Sequence, residues 1–339
     1  MSFKDLIPWY QRHQRQLPFR QTTSPYDIWV AEIMLQQTQV ATMIPYYERF
    51  LKRFDSIKTL AKATFEEILP YVTGMGYYRR FKLMHQASKV IMTLHEGMFP
   101  NTYEAVRALP GIGDYTAGAI MSTAFKKPYS ALDGNVMRVL TRVYSIDDDI
   151  RKPSTVKKLN TLNQSLMIKD APDLYTHAMM ELGATICKPT QPKCEACPLQ
   201  DICQSYADQT QLSYPFKSQL VPKKHIKYMT CIIYDSQYQY VLKKETQSLF
   251  EGMYLFLQVE SESVHYTMEW LLEQGIEVDY DQYLTTVKHV FTHQIWDMEV
   301  HLFKLKSMRQ TSFFLATKDD PKFNMMPIAH SKINKFLKQ

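Results

Sequence analysis

The sequence lacks long hydrophobic runs and has no recognisable secretion signal. No segment offers the roughly twenty consecutive apolar residues that a membrane-spanning helix requires. The N-terminus, MSFKDLIPWYQRHQRQLPF, also lacks the hydrophobic centre and cleavage site of a signal peptide. These absences predict a protein without membrane contact that works in the cytoplasm, or at the nucleoid if its source is bacterial.

Length and charge narrow the possibilities further. The chain has 339 residues, of which 45% are hydrophobic and 22% charged. This is an ordinary globular composition and predicts two domains, each with its own core. The formal net charge of +6 and the pI near 8.8 favour a polyanionic partner such as nucleic acid.

Cysteine is scarce and unevenly placed. Four of the five cysteines form one C-x6-C-x2-C-x5-C group, which consists of Cys187, Cys194, Cys197 and Cys203. In a reducing compartment such a group predicts a metal site rather than two disulfides. Four thiolates suit either tetrahedral zinc or a 4Fe–4S cluster, and the spacing alone does not separate them. Cys231 stands apart in an apolar run and is expected to be an inert core residue.

The most informative stretch runs from Leu109 to Arg142 and contains LPGIGDYTAGAI and LDGNVMRV. Gly111 and Gly113 predict a tight turn whose backbone angles a Cβ would hinder. The amides that follow open a helix and could bind a DNA phosphate. Further along, Asp133 begins a second helix. Such turns are often only connections, and a lone Asp before Gly-Asn is more often a helix N-cap.

The N-terminal half shows only helical patterns. A helix opening at Trp29 is predicted to continue through WVAEIMLQQTQVATMIPYYERFLKRF, and Glu32 lies within its apolar pattern. A carboxylate there is either paired or functional. The main break, TGMGYYRR at 73–80, sets tyrosines beside arginines, which suits wedging into DNA, although such a motif taken alone is more often a plain helix–helix loop. The other predicted helices cover 57–63, 65–71, 78–95, 103–109, 136–144, 156–166 and 172–185.

The pattern changes after the cysteines. Residues 204–224 are polar, contain Pro215 and Pro222, and are interpreted as a linker. The segment KYMTCIIYDSQYQYVLKKE predicts a strand hairpin, 265–275 a helix, and YLTTVKHVFTHQIWDMEVHLFKLK a second strand pair. The C-terminal part is therefore expected to be α+β.

These motifs, occurring together and in this order, resemble the helix-hairpin-helix DNA glycosylases and, among them, the MutY family of adenine DNA glycosylases. The resemblance is close over 1–203, through WVAEIMLQQTQVATMIPYY, GMGYYRR, LPGIGDYTAGAI, LDGNVMRV and the cysteine group. It implies a multidomain α and α+β protein. An all-α glycosylase domain (1–203) would carry a 4Fe–4S loop (187–203), followed by the linker (204–224) and a weaker Nudix-like lesion-recognition match (225–339).

The resemblance also implies roles for individual residues. The four clustered cysteines would hold a 4Fe–4S cluster that shapes a DNA-contacting loop. Cleaving the glycosidic bond of adenine requires an acid for the leaving base and an anion for the sugar cation, which Glu32 and Asp133 would supply. Asn135 and Tyr115 would steady this site. The related endonuclease III family has a lysine where this chain has Tyr115, and tyrosine cannot form the Schiff base of a lyase.

The remaining site residues follow the same resemblance. Gly111, Gly113, Gln37, Tyr77 and Arg79 would contact DNA. Arg20 would lie at the adenine pocket with Phe19, where the family often has Trp, and His177, where some relatives have Glu. The loop Phe291-Thr292-His293 would read 8-oxoguanine, with Thr292 replacing the family's serine. The Glu-rich helix of Nudix hydrolases is missing, so no pyrophosphatase activity is expected.

The sequence thus predicts a monomeric, monofunctional adenine glycosylase acting on double-stranded DNA with A opposite 8-oxoguanine, and more slowly opposite G. A related glycosylase that removes thymine opposite G is the second interpretation. A non-catalytic protein that binds damaged DNA is the third, and it would not need both carboxylates.

Overall fold

The computed structural model describes residues 3–219, 221–246, 250–309 and 312–337. The chain divides into two compact units. The first comprises Met1–Lys62 and Leu83–Leu220, and the second comprises Ala63–Lys82 and Val221–Gln339. The second unit thus includes a segment from the helical half, which the sequence pattern did not indicate. The domain limits at 203 and 225 stay a prediction.

The described part of the chain up to residue 219 contains helices and no strands, which confirms the all-α expectation. The helices are α1 (Leu6–His13), α2 (Pro25–Leu35), α3 (Val40–Arg53), α4 (Ile57–Lys62), α5 (Phe65–Val72), α6 (Arg79–Leu94), α7 (Tyr103–Arg107), α8 (Asp114–Thr123), α9 (Gly134–Val143), α10 (Pro153–Leu166), α11 (Pro172–Thr185) and α12 (Gln204–Ala207). A 3-10 turn, Pro18–Arg20, lies between α1 and α2.

The prediction of one long helix from Trp29 is wrong about the length of that helix. Two helices, α2 and α3, stand in its place, because the polar residues 36–39 separate them and Gln37 adopts a left-handed φ of 58°. The first of them begins earlier than expected, at Pro25, where the Ser24 hydroxyl accepts a hydrogen bond from the Asp27 N–H. This cap and the proline at the first helical position both favour a helix start.

Close packing places the loop before α9 beside α8, and α9 beside α11. A Cβ on Gly118 of α8 would lie 1.9 Å from the Ser130 carbonyl oxygen, and one on Gly183 of α11 would lie 2.5 Å from Asn135 Cβ. Glycine is therefore required at both contacts. In the hydrophobic core, Trp9 and Tyr10 of α1 pack in one buried cluster with side chains of α9 and α11.

The predicted linker is attached to the first unit. It contains α12, the Arg142 guanidinium donates to the Tyr214 carbonyl oxygen, and the Ile150 N–H donates to the Phe216 carbonyl oxygen. This segment is therefore not a free tether along its whole length.

The second unit is α+β, as expected. Its strands are β1 (Lys224–Tyr234), β2 (Tyr240–Lys244), β3 (Tyr254–Leu255), β4 (Leu257–Val259), β5 (Ile276–Val290), β6 (Gln294–Met308) and β7 (Phe313–Ala316). Besides α5 and the start of α6, it contains the helices α13 (Val264–Glu273), α14 (Pro321–Asn324) and α15 (Ile328–Ser331). Strands β1 and β2 form the predicted antiparallel hairpin, and β5 and β6 form the second one.

The pairing of β1 with β6 was not predicted. The sheet order is β3-β2-β1-β6-β5, in which β1 and β6 run parallel from Lys224 opposite Gln294 to Tyr234 opposite Lys304. Cys231 is completely buried on β1, which confirms that it is a core residue. Among the residues described, no helix is long and apolar enough to cross a membrane.

Candidate active site

A cavity of about 570 Å³ in the first unit brings together all the predicted catalytic and adenine-pocket residues. Helices α2, α8 and α11, the start of α9 and the 3-10 turn supply its walls. The predicted residues that line it are Phe19, Arg20, Glu32, Gln37, Tyr115, Asp133, Asn135 and His177. The two carboxylates therefore face one space, as a reaction that uses both requires.

Glu32 is a buried acid on α2. Glu32 is only 9% exposed, and the neighbouring Ala31 and Ile33 are also buried. The Tyr115 hydroxyl donates to Glu32 Oε2 at 2.7 Å. Burial raises the pKa of Glu32 to about 7, and the charge of Asp133 raises it as well, while the Tyr115 hydrogen bond and Arg20 oppose the rise. A large share of Glu32 is therefore protonated near neutral pH, as a proton donor must be.

Asp133 is both the N-cap of α9 and a wall of the cavity. Its Oδ1 accepts from the Val136 N–H at 2.7 Å, and its Oδ2 accepts from Asn135 Nδ2 at 2.7 Å. Burial raises the pKa of Asp133 overall, although the hydrogen bonds from Val136 and Asn135 lower it.

Arg20 and His177 form the polar side of the cavity. The Arg20 Nη1 lies 2.7 Å from Glu181 Oε2, and its guanidinium lies over the Tyr10 ring. Burial lowers the pKa of His177 to about 4, and the charge of Arg20 contributes, so its imidazole is neutral near pH 7. Phe19 packs edge-on against Tyr47.

Glu181 was not among the site residues predicted from the sequence. This residue is completely buried on α11 and binds both Arg15 and Arg20. The signal was available, because Glu181 lies in the apolar run AMMELGA, just as Glu32 lies in an apolar run. The rule that a carboxylate among apolar residues is paired or functional applies to both.

The glycine turn before α8 is only partly as predicted. Gly111 has a φ of 80°, and a Cβ there would lie 2.8 Å from Leu83 Cβ. Gly113 is in extended backbone, which any residue can adopt, so the expectation of forbidden angles is wrong there. A Cβ on Gly113 would meet nothing within 4 Å, and Gly113 itself is the N-cap of α8. This end of the helix is open to an approaching group.

The second unit contains a separate cavity of about 510 Å³ that brings Tyr77 together with the Phe291-Thr292-His293 loop. The Tyr77 and Thr292 hydroxyls are 3.5 Å apart, and Tyr77 has a φ of 50°. Phe291 packs against the Trp296 ring at 4.7 Å between centroids. Aromatic, hydroxyl and imidazole groups thus share one opening.

The two arginines of GMGYYRR differ. Arg79 is exposed at the first position of α6. Arg80 is buried and donates to the carbonyl oxygens of Met75 and Gly76, and burial lowers its pKa to about 10. Arg80 therefore braces the turn, and Arg79 is the one that a phosphate could reach.

The four clustered cysteines line one pocket beside α9 and α11. Within the described ranges, no group of three or more His, Cys, Asp or Glu is placed to hold a metal ion. The Arg142 guanidinium donates to Cys187 Sγ at 3.4 Å, and the Leu199 N–H donates to Cys197 Sγ at 3.4 Å. Such N–H donors stabilise thiolate sulfur, so the donor set fits an iron–sulfur cluster.

The cysteine loop is also linked to the cavity. The Arg138 guanidinium donates from Nε to the Cys187 carbonyl oxygen at 2.7 Å and from Nη2 to Asn135 Oδ1 at 2.9 Å. The Asn135 amide is thereby oriented with its NH2 toward Asp133.

Parts of the chain match two known protein families. Residues 30–164 match the family described as HhH-GPD superfamily base excision DNA repair protein, and residues 187–203 match the iron-sulfur binding domain of endonuclease III. The match in the cysteine loop identifies the cofactor as a 4Fe–4S cluster.

Individual relatives extend the similarity. The adenine DNA glycosylase of Buchnera aphidicola subsp. Baizongia pistaciae is 34% identical over 296 residues, which cover 86% of this chain and 82% of the relative. The adenine DNA glycosylase of Homo sapiens is 38% identical over 209 residues, covering 59% of this chain and 38% of that protein.

Solved structures show the same fold for the N-terminal part. A thermostable thymine-DNA glycosylase gives a TM-score of 0.57 at 26% identity, covering 61% of this chain and 95% of that one. A trapped endonuclease III–DNA covalent intermediate gives 0.53 at 21% identity, covering 61% of this chain and 95% of that one.

Proposed function

Because the chain belongs to the adenine DNA glycosylase family, we propose that it hydrolyses the N-glycosidic bond of adenine mispaired with 8-oxoguanine, or with G, in double-stranded DNA. The product is an abasic site, the first product of base excision repair. The observation that supports this proposal most is that Glu32 and Asp133 line one cavity, with Tyr115 bonded to the buried acid.

The chemistry assigns a different task to each carboxylate. Adenine must first leave the base stack, as it does for glycosylases generally. Glu32 then gives its proton to N7 of adenine, the C1′–N9 bond breaks, and its electron pair stays with the base. Asp133 stabilises the resulting sugar cation or bonds C1′ transiently. Water adds at C1′, and the ionised Glu32 can accept the proton that this water releases.

Neighbouring residues hold these groups in place. Asn135 donates to Asp133 and Tyr115 donates to Glu32, so each carboxylate is oriented by one hydrogen bond from its partner. Arg20, Phe19 and His177 bound the space for the base, and Gln37 lies in the same cavity. The matched family residues fill the space around the lesion pair, and we assign Gln37 that task here.

The 4Fe–4S cluster has a structural task in this proposal. Cys187, Cys194, Cys197 and Cys203 would hold it and would thereby be cross-linked across the loop 187–203. Arg142 and Arg138 then tie this loop to α9 and so to Asn135. The Gly111–Gly113 turn and the exposed Arg79 would grip DNA phosphates.

Lesion recognition is assigned to the cavity in the second unit. Thr292 and His293 offer hydrogen-bonding groups to 8-oxoguanine, and Tyr77 beside them can enter the base stack. We further propose that the enzyme acts as a monomer in the cytoplasm, where it reaches DNA, and has no lyase activity. Tyr115 occupies the position of the lyase lysine, and its hydroxyl cannot form an imine.

A duplex panel tests the function. Excess protein is incubated with duplexes that carry A, T or U opposite 8-oxoguanine or G, and the strands are analysed with and without alkali. We expect alkali-dependent cleavage at A only, faster opposite 8-oxoguanine. Cleavage at T opposite G would support the thymine glycosylase instead, and cleavage without alkali would show lyase activity.

Variants of the carboxylates separate catalysis from binding. Glu32→Gln and Asp133→Asn should each abolish release of adenine while the duplex is still bound, since both keep the side-chain volume. Binding without release by the unaltered protein would identify a non-catalytic damage-binding protein. An active Asp133→Asn variant would reduce Asp133 to a helix cap.

A further inference from the structure

We propose that Glu181 is a positioning residue of the reaction. It fixes the Arg20 guanidinium in the cavity wall and supplies its counter-charge, so that Glu32 keeps the proton that it delivers to the base. This inference rests on the function proposed above, because it concerns the acid of that reaction.

Arg15 and Arg20 both contact the Glu181 carboxylate, and we call these three residues the clamp. Its Oε1 accepts from Arg15 Nε at 2.7 Å and from the Arg15 backbone N–H at 3.3 Å, and its Oε2 accepts from Arg15 Nη2 at 2.9 Å. Arg20 Nη1 lies 2.7 Å from the same Oε2. Hydrogen bonds from Arg15 and the charge of Arg20 outweigh burial and lower the pKa of Glu181, so it is an anion.

Arg20 has little freedom to leave this position. Its side chain is 8% exposed and lies over the Tyr10 ring, with 5.6 Å between the guanidinium carbon and the ring centroid. Its backbone N–H donates to the Leu17 carbonyl oxygen in the 3-10 turn that precedes α2. Since an unpaired buried charge is strongly unfavourable, the pair with Glu181 is needed to hold Arg20 there.

Arg20 and Glu32 line the same cavity, so the charge of Arg20 acts on the catalytic acid. The titratable and charged groups that act on Glu32 are Tyr115 from α8, Asp133 at the start of α9 and Arg20 from the 3-10 turn. Asp133 favours the protonated form of Glu32, whereas Arg20 favours its carboxylate. A cation without its counter-charge would therefore remove the proton from Glu32 at lower pH. The anion of Glu181 limits this effect.

The decisive variant is Glu181→Gln, which removes the charge and keeps the side-chain size. The assay is the single-turnover rate of adenine release from a duplex with A opposite 8-oxoguanine, measured across pH with the complete cluster-loaded protein. We expect the pH at which the rate falls to half to move down by about half a unit, which means a rate about threefold lower above that pH. We call this pH of half-maximal rate the midpoint. A midpoint that stays in place or moves up in Glu181→Gln would overturn the proposal.

Two companion variants distinguish charge from structure. Arg15→Lys loses the two-pronged hydrogen bond of the more exposed arm but keeps a cation beside Glu181, so that Glu181 stays an anion. It should lower thermal stability without moving the midpoint to lower pH. Adding Arg20→Gln to Glu181→Gln removes the unbalanced cation, so the midpoint should rise again relative to the single variant.

Further measurements keep the test decisive if Glu181→Gln does not fold. Arg20→Gln alone must then raise the midpoint, and an unchanged midpoint would overturn the proposal. Glu181→Asp retains the charge and should keep the midpoint despite a lower melting temperature. If instead the unaltered protein releases no adenine from this duplex, the proposed function fails, and the proposal about Glu181 is not what has been refuted.

Discussion

The buried acid at position 32 should make the protein less stable as pH rises, and replacing it should remove that effect. The reference pKa of the carboxyl is 4.5, and burial raises it to about 7 in the folded protein. Between these values the folded state holds a proton that the unfolded chain has released. The folded state of the unaltered protein therefore loses stability as pH rises through this range, the reverse of the usual behaviour of a paired carboxylate.

The size of the effect follows from the shift. At about 1.4 kcal/mol for each pKa unit, the shift from 4.5 to about 7 corresponds to about 3 kcal/mol. Glu32→Gln mimics the protonated form and can still accept the Tyr115 hydrogen bond. The variant should therefore gain about 3 kcal/mol over the unaltered protein between about pH 5 and about pH 8.

The assay is urea unfolding of both proteins, each loaded with its cluster, at several pH values. The difference between their unfolding free energies isolates position 32, because the cluster and the second unit are common to both. Glu48→Gln on α3 is the matched control, since Glu48 is exposed and its replacement changes only a surface charge. A difference for Glu32→Gln that is constant across pH would refute the argument that this carboxyl is buried and neutral.

Four further predictions concern the helix packing, DNA binding, the cluster and lesion recognition. Gly118→Ala should destabilise the protein by about 3 kcal/mol in urea unfolding, because its Cβ would lie 1.9 Å from the Ser130 carbonyl oxygen. Gly113→Ala should change stability by less than about 1 kcal/mol and yet weaken duplex binding, since the new methyl group points into open space at the start of α8. Cys194→Ser should lower the iron content and the visible absorption of purified protein, whereas stoichiometric zinc in colourless unaltered protein would contradict the cluster. His293→Ala should narrow the ratio of adenine release opposite 8-oxoguanine to that opposite G, and an unchanged ratio would move lesion recognition elsewhere.

Much of the local structure could be predicted from sequence because it depends on short-range patterns. The helical periodicity of the first half and the alternation in β5 and β6 both led to the observed elements. The prediction failed where a local detail interrupted a strong pattern. The break at 36–39 is an example. Four polar residues, among them Gln37 with its left-handed backbone, end a helix that the surrounding apolar spacing would continue.

The sequence by itself determined the chemical types of the site: an acid in an apolar run, an aspartate at a helix start, and four closely spaced cysteines. Only the tertiary structure decided which of these meet. Tyr115 lies 83 positions from Glu32, and Arg15 lies 166 positions from Glu181, yet each pair is joined by a hydrogen bond. Such contacts depend on how helices pack, with Gly118 and Gly183 permitting the close approach, and no local pattern encodes that packing.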